Sequence, residues 1–197
     1  MADITDEIAA SAAQCVVEEG LEYGPAKRRA LKALGLPPKT PLPNNDQVEA
    51  QVREYIALFC ADTQPAELLA LRQHALMWMQ RLQDFRPYLG GAVWHGTATR
   101  LSDIYLQLFC DDEKSCEIEL INKGVDFEAR TVNGLHGEPV EALSIHSYCK
   151  ELEEEIGVHL LIYEYDDVRG ALKADAQGRV PRGDAVAVQK LIEAQSS

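Results

Sequence analysis

The sequence predicts an α+β protein in which a helical region comes first and a mixed β-sheet with packed helices follows. Three observations carry that expectation. Residues 4–82 repeat apolar side chains at helical spacing, residues 91–165 hold short apolar runs with period-two alternation, and a helical stretch separates two of those runs. A chain of 197 residues can bury roughly 70% of the surface its unfolded form exposes, so a core of this kind needs no covalent staple.

The helices come in order. Ile4, Ile8, Ala12 and Cys15/Val16 share one face of a helix over 4–19, and Gly20 stops it. A second short helix covers Pro25 to Leu34, with proline in its first turn and Gly35 past its end. KTPLPNN is punctuation. Asn44 and Gln47 then have the spacing of a capping box, which opens a helix running to about Cys60. Thr63 or Gln64 opens the next, with Pro65 tolerated near its start. Leu68, Leu71, Ala75, Met79 and Leu82 form its apolar stripe before Pro87. Residues 1–62 are thus expected as an N-terminal helical region and 63–197 as the sheet-containing core, the two making one compact unit.

The strands follow. GAVWHG, 91–96, is expected as a short apolar strand ending in glycine. DIYLQLF sets Ile104, Leu106 and Leu108 against Asp103, Tyr105, Gln107 and Phe109. Asp111 or Asp112 caps a helix to about Lys123, with Gly124 at its end. VDFEAR is a third strand, and the Asn133-Gly134 pair marks a turn. VEALSIHSY and VHLLIYEY are two more strands. The acidic KELEEEIG between them fits either an irregular hairpin end or one helical turn. A short helix from Asp184 to Ala194 closes the chain.

Composition narrows the function classes. The formal charge is −13, from 32 acids against 19 bases, which argues against direct nucleic-acid binding because that requires phosphate-neutralising cations. A small nucleotide held beside a metal ion is compatible with it, since the local ion dominates. Five cysteines without short paired spacings argue against a disulfide framework or a zinc ribbon. No apolar run approaches the ~20 residues of a membrane span, and MADITDEIAA lacks the basic start of a signal peptide, so the expected compartment is the cytoplasm. HExxH, G-x-S-x-G and P-loop spacings do not occur.

One stretch carries chemistry. In GTATRLSDIYLQLF, Gly96 has no side chain to obstruct a phosphate, Thr97 offers a hydroxyl, Arg100 offers a cation, and Asp103 opens the following strand. With the preceding long helix and YLGGAVWH, this stretch resembles the nucleotidyltransferase superfamily with the DNA polymerase beta-like core. The resemblance covers about residues 75–165 and is densest over twenty of them. Gly96-Thr97 is similar to the family's Gly-Ser, and Ser102-Asp103-Ile104 to its strand opening. The resemblance implies that Gly96 and Thr97 engage phosphate, and that strand carboxylates, Asp103 first, hold a divalent metal such as Mg²⁺; Arg100, between the turn and Asp103, is placed to meet the same phosphate oxygens. A third carboxylate would come from a later strand, for which VHLLIY is the match.

Two positions depart from that pattern. Tyr105 stands where the second carboxylate belongs, and His159 stands at the third. A neutral phenol and an imidazole are poor Mg²⁺ ligands. Glu113, Glu117, Glu119, Asp126, Glu128 and Glu164 offer no compelling replacement, an enzyme that draws an acid from the helices stays a third reading, and His95 beside Gly96 is close enough to the turn for ligand contact. The expectation is therefore a nucleotidyltransferase-like protein with an altered metal site. It would bind a nucleotide or phosphorylated small molecule, with Tyr105 and His159 shaping the pocket and nucleotidyl transfer weak or altered. The alternative is a regulatory or protein-interaction module that keeps the fold without catalysis, with a protein partner or a second copy of the chain as its binding target.

Overall fold

The computed structural model describes residues 3–197. Its architecture is α+β, a five-stranded mixed sheet flanked by helices. The chain divides into two compact units. One runs to Ala66 and takes in Thr99–Leu101; the other comprises Glu67–Ala98 and Ser102–Ser197.

The first unit is helical. Helix α1 (Ile4–Glu19) is capped by the Asp3 side chain and ends at Gly20, whose φ of 70° is the left-handed conformation glycine adopts without strain. Helix α2 (Tyr23–Ala33) starts two residues before the expected Pro25, which lies in its first turn. Helix α3 (Asn45–Phe59) has the expected box: Asn44 Oδ1 accepts from the Gln47 amide at 2.8 Å, and Gln47 Oε1 accepts from the Asn44 amide at 2.9 Å. Ala12, Ala26 and Ala30 are fully buried beside Ile8, Val48 and Val52. Small side chains there let the helices approach closely, and the branched ones fill the remaining space. Leu101 packs where a side chain at Gly20 would stand, 3.1 Å away.

The second unit is built on the sheet, whose order is β1-β2-β5-β4-β3. Its strands are β1 (Tyr88–Gly90), β2 (Ile104–Cys110), β3 (Glu128–Asn133), β4 (Pro139–Cys149) and β5 (Glu154–Glu164). Strands β2 and β5 run parallel at the centre, and the remaining neighbours are antiparallel. Helix α4 (Gln64–Arg81) lays its apolar stripe on one face, joined by α6 (Ser115–Asn122) and α8 (Ala185–Gln195). Leu106, Leu108, Leu143, Leu160, Leu71 and Met79 are fully buried there. Each such side chain contributes about 1.5–3 kcal/mol by leaving water. Within this layer Ser147 Oγ meets His74 Nε2 at 2.8 Å and accepts from Trp78 Nε1 at 2.9 Å, so the polar groups that α4 buries are bonded. None of the five cysteines is in a disulfide, and all but Cys60 are buried.

Three elements differ from expectation. GAVWHG is not a strand: Gly91 takes a φ of 69°, ends β1 after three residues and opens the short helix α5 (Gly91–His95). Arg72, 7% exposed, fixes that helix by donating to the Val93 and Trp94 carbonyls at 3.0 and 3.1 Å. Helix α6 starts later than expected, because Asp112 instead closes a turn, its side chain accepting from the Lys114 amide. Strand β3 is displaced from VDFEAR towards the turn, where Gly134 bonds back to Glu138. The acidic separator is the end of the β4–β5 hairpin, with Glu153 at a φ of 55°.

Candidate functional site

The second face of the sheet divides into two regions. At the carboxyl ends of β2 and β5 it is closed by apolar packing: Phe109 stacks on Tyr163 at 5.6 Å, beneath Ala171 of the short helix α7 (Val168–Ala171). At the other end it is polar. Strand register places Tyr105 beside His159 across the parallel pair and Ser144 beside His159 across the antiparallel pair. Side chains of paired residues share a face, so three strands present one group.

That group is hydrogen-bonded in series. His159 Nε2 lies 2.8 Å from Asp103 Oδ2, and His159 Nδ1 lies 2.8 Å from Ser144 Oγ. The Tyr105 ring flanks the imidazole with centroids 4.9 Å apart and planes inclined by 31°. Gly157 makes room for the carboxylate, since a Cβ there would stand 2.7 Å from Asp103 Cγ. The Asp103 side chain is 44% exposed and that of His159 12%, so the pair is open at the carboxylate end. At that exposure the hydrogen bond adds at most about 1 kcal/mol to stability. Its consequence is orientation of the ring.

The sequence-derived candidates separate accordingly. Asp103, Tyr105 and His159 come together. Gly96 and Thr97 follow the helix α5 rather than a strand, and both their amides donate to the Ala92 carbonyl, at 2.9 and 3.0 Å. Thr97 is 4% exposed. The glycine turn between strand and helix is Gly90-Gly91, where Gly91 faces the Tyr105 ring; a Cβ there would lie 3.6 Å from Tyr105 Cδ2. Arg100 falls in the stretch grouped with the helical unit. Ser144 was missed by sequence reasoning. The signal lay in the acidic separator: once Cys149 pairs with Glu154, Ser144 faces His159 five residues further along each strand.

The donor set does not suit a pair of magnesium ions. Mg²⁺ requires oxygen ligands in near-octahedral array, and two-metal chemistry shares several carboxylates between the ions. Here one carboxylate is bonded to an imidazole whose second nitrogen is bonded to a hydroxyl. Among the described residues no three His, Cys, Asp or Glu side chains are grouped to hold a metal ion. A cavity of about 540 Å³ lies elsewhere, at the carboxyl ends of β2 and β5, walled by Asp111, Asp112, Glu113, Glu164 and Asp166. Arg86, stacked on Tyr165 at 4.1 Å, is paired with Asp111 at its margin. No described helix is long and apolar enough to cross a membrane.

No protein-family model and no curated protein matches the chain. Among solved structures it shows weak similarity to Cid1 in complex with the UTP analogue UMPNPP, at 13% identity and a TM-score of 0.35, over 58% of this chain and 36% of that one. A cytoplasmic RNA terminal U-transferase is similar at 15% identity and a TM-score of 0.35, over 61% of this chain and 38% of that one. The Cid1 poly(U) polymerase with MgGTP bound is similar at 15% identity and a TM-score of 0.34. The chain spans little more than a third of the length of these structures.

Proposed function

We propose that this chain is a nucleotidyltransferase-like module that does not carry out two-metal nucleotidyl transfer and that holds a small ligand, a nucleotide or phosphorylated small molecule, without a metal. The carrying observation is the 2.8 Å contact between Asp103 Oδ2 and His159 Nε2. The strand carboxylate that would begin a metal site is committed to an imidazole, and the flanking Tyr105 is a phenol. The half-buried Tyr105 ring beside His159 offers a flat surface on which a base can stack, a contact worth ~1–3 kcal/mol.

Calorimetry with each of the four nucleoside triphosphates, in Mg²⁺ and in EDTA, tests this reading. The expected result is heat with at least one nucleotide in EDTA, unchanged affinity in Mg²⁺, and at least a tenfold loss in Tyr105→Ala. Mg²⁺-dependent release of pyrophosphate would sink it. The closed turn at Gly96-Thr97, with both amides already donating, favours a second reading in which the module serves protein interaction alone. Absence of heat with every nucleotide at millimolar concentration, on folded protein, would select that one.

A further inference from the structure

Strands β4 and β5 and the residue that precedes β2 set a hydroxyl, an imidazole and a carboxylate in series on one open face. With Asp103 ionised, Nε2 of neutral His159 carries the proton that bonds Oδ2. Nδ1 is then left with its lone pair towards the Ser144 hydroxyl. That is the polarity in which a base takes a proton from a nucleophile while a third group fixes the base's tautomer. Both contacts measure 2.8 Å, within the range for such transfer. Ser144 is partly exposed, with its hydroxyl on the imidazole.

We propose that Ser144 is a nucleophile activated by His159, with Asp103 as the positioning residue, and that the site accepts an uncharged carboxylic ester. Ser144 Oγ bonds to the ester carbon as its proton passes to His159 Nδ1, and the carbonyl electron pair moves onto oxygen. That pair returns as the carbon–alkoxide bond breaks, and the Nδ1 proton leaves with the alcohol. Water repeats the exchange on the acyl-serine, releasing the acid and restoring Ser144. No metal or oxidant enters the balance. Glu128 lies opposite Ser144 on β3, so an ester whose acyl group carries no charge is favoured beside the Ser144 hydroxyl. Leu161, partly exposed and two residues beyond His159 on the same face, supplies apolar surface for the acyl group.

The inference rests on the metal-free reading of the site but not on nucleotide binding. The test treats the full chain, in EDTA, with a fluorophosphonate probe, locates the adduct by peptide mass spectrometry, and follows p-nitrophenyl acetate hydrolysis alongside. Expected are an adduct on Ser144, its loss in Ser144→Ala, and a fall of at least tenfold in labelling rate in both His159→Gln and Asp103→Asn, in keeping with the ~10²–10⁴-fold that general bases supply. The ¹⁵N shifts of His159 should report a proton on Nε2 in the wild type and lose that preference in Asp103→Asn. Asp103→Asn, at a half-exposed side chain, keeps the test informative should His159→Gln fail to fold. A folded wild type without an adduct on Ser144, or equal labelling rates in Asp103→Asn, overturns the proposal. Nucleotide heat that persists in Ser144→Ala while wild-type labelling is absent overturns the serine and leaves the binding reading standing.

Discussion

Gly157 is where a single methyl group tests the site. Its missing Cβ leaves the space that Asp103 occupies, and alanine would place an atom 2.7 Å from the carboxylate carbon. The strand itself tolerates alanine, so Gly157→Ala should fold, swing Asp103 away and abolish the Asp103–His159 bond. The His159 nitrogen shifts will show this, at a stability cost of about 1 kcal/mol in urea titration. Ser147 is the corresponding point in the core. Ser147→Ala strands the Trp78 N–H and His74 Nε2, and should cost roughly 1–3 kcal/mol. Burial holds the His74 imidazole below its ordinary value, outweighing the opposing pull of Glu151. The unfolded chain therefore takes up a proton near pH 6.5 that the folded chain refuses. Stability should fall as pH drops from about 6.5 towards the depressed value, and urea midpoints across that window check the sign. Period-two alternation put Asp103 and Tyr105 on one strand face, whereas their standing as site residues, and that of His159, came from the resemblance of SDIYL and VHLLIY to the family's carboxylate strands. Ser144 was not legible, because its role depends on a register that only the hairpin turn sets.

At the scale of elements, signals that act within one turn were readable and signals that act across the chain were not. The α3 box is local: Asn44 and Gln47 satisfy one another's amides, so the sequence motif and the structure coincide. Asn44→Ala should cost about 1 kcal/mol and lower the melting temperature of the helical unit, measured by circular dichroism. GAVWHG is the opposite case. Its apolar residues suit a strand, but Arg72, some twenty positions earlier, holds the Val93 and Trp94 carbonyls in a helical turn. A buried guanidinium binding two carbonyls outweighs the weak strand preference of four residues. The same reading put a strand end at Gly96-Thr97, where the structure has the end of α5.

At the scale of the whole molecule, α+β order was legible because helical and strand periodicities occupy different halves of the sequence. The division into units was less so: Thr99–Leu101 groups with the helices although it lies within the sheet-forming half. That distribution gives the cysteines an unplanned use. Burial pushes the Cys110 thiol up to about 11 and Cys116 to about 12, and raises Cys15 and Cys149 as well. Thiolate, the reactive form, is therefore scarce at all four in the folded chain at pH 8. With Ellman's reagent, one equivalent from Cys60 should appear fast and four slowly, at the rate the structure opens. Cys15 sits in one unit, and Cys110, Cys116 and Cys149 in the other. Mapping which thiols react first would time the opening of each unit separately, so the chain carries a stopwatch for both halves without an added label.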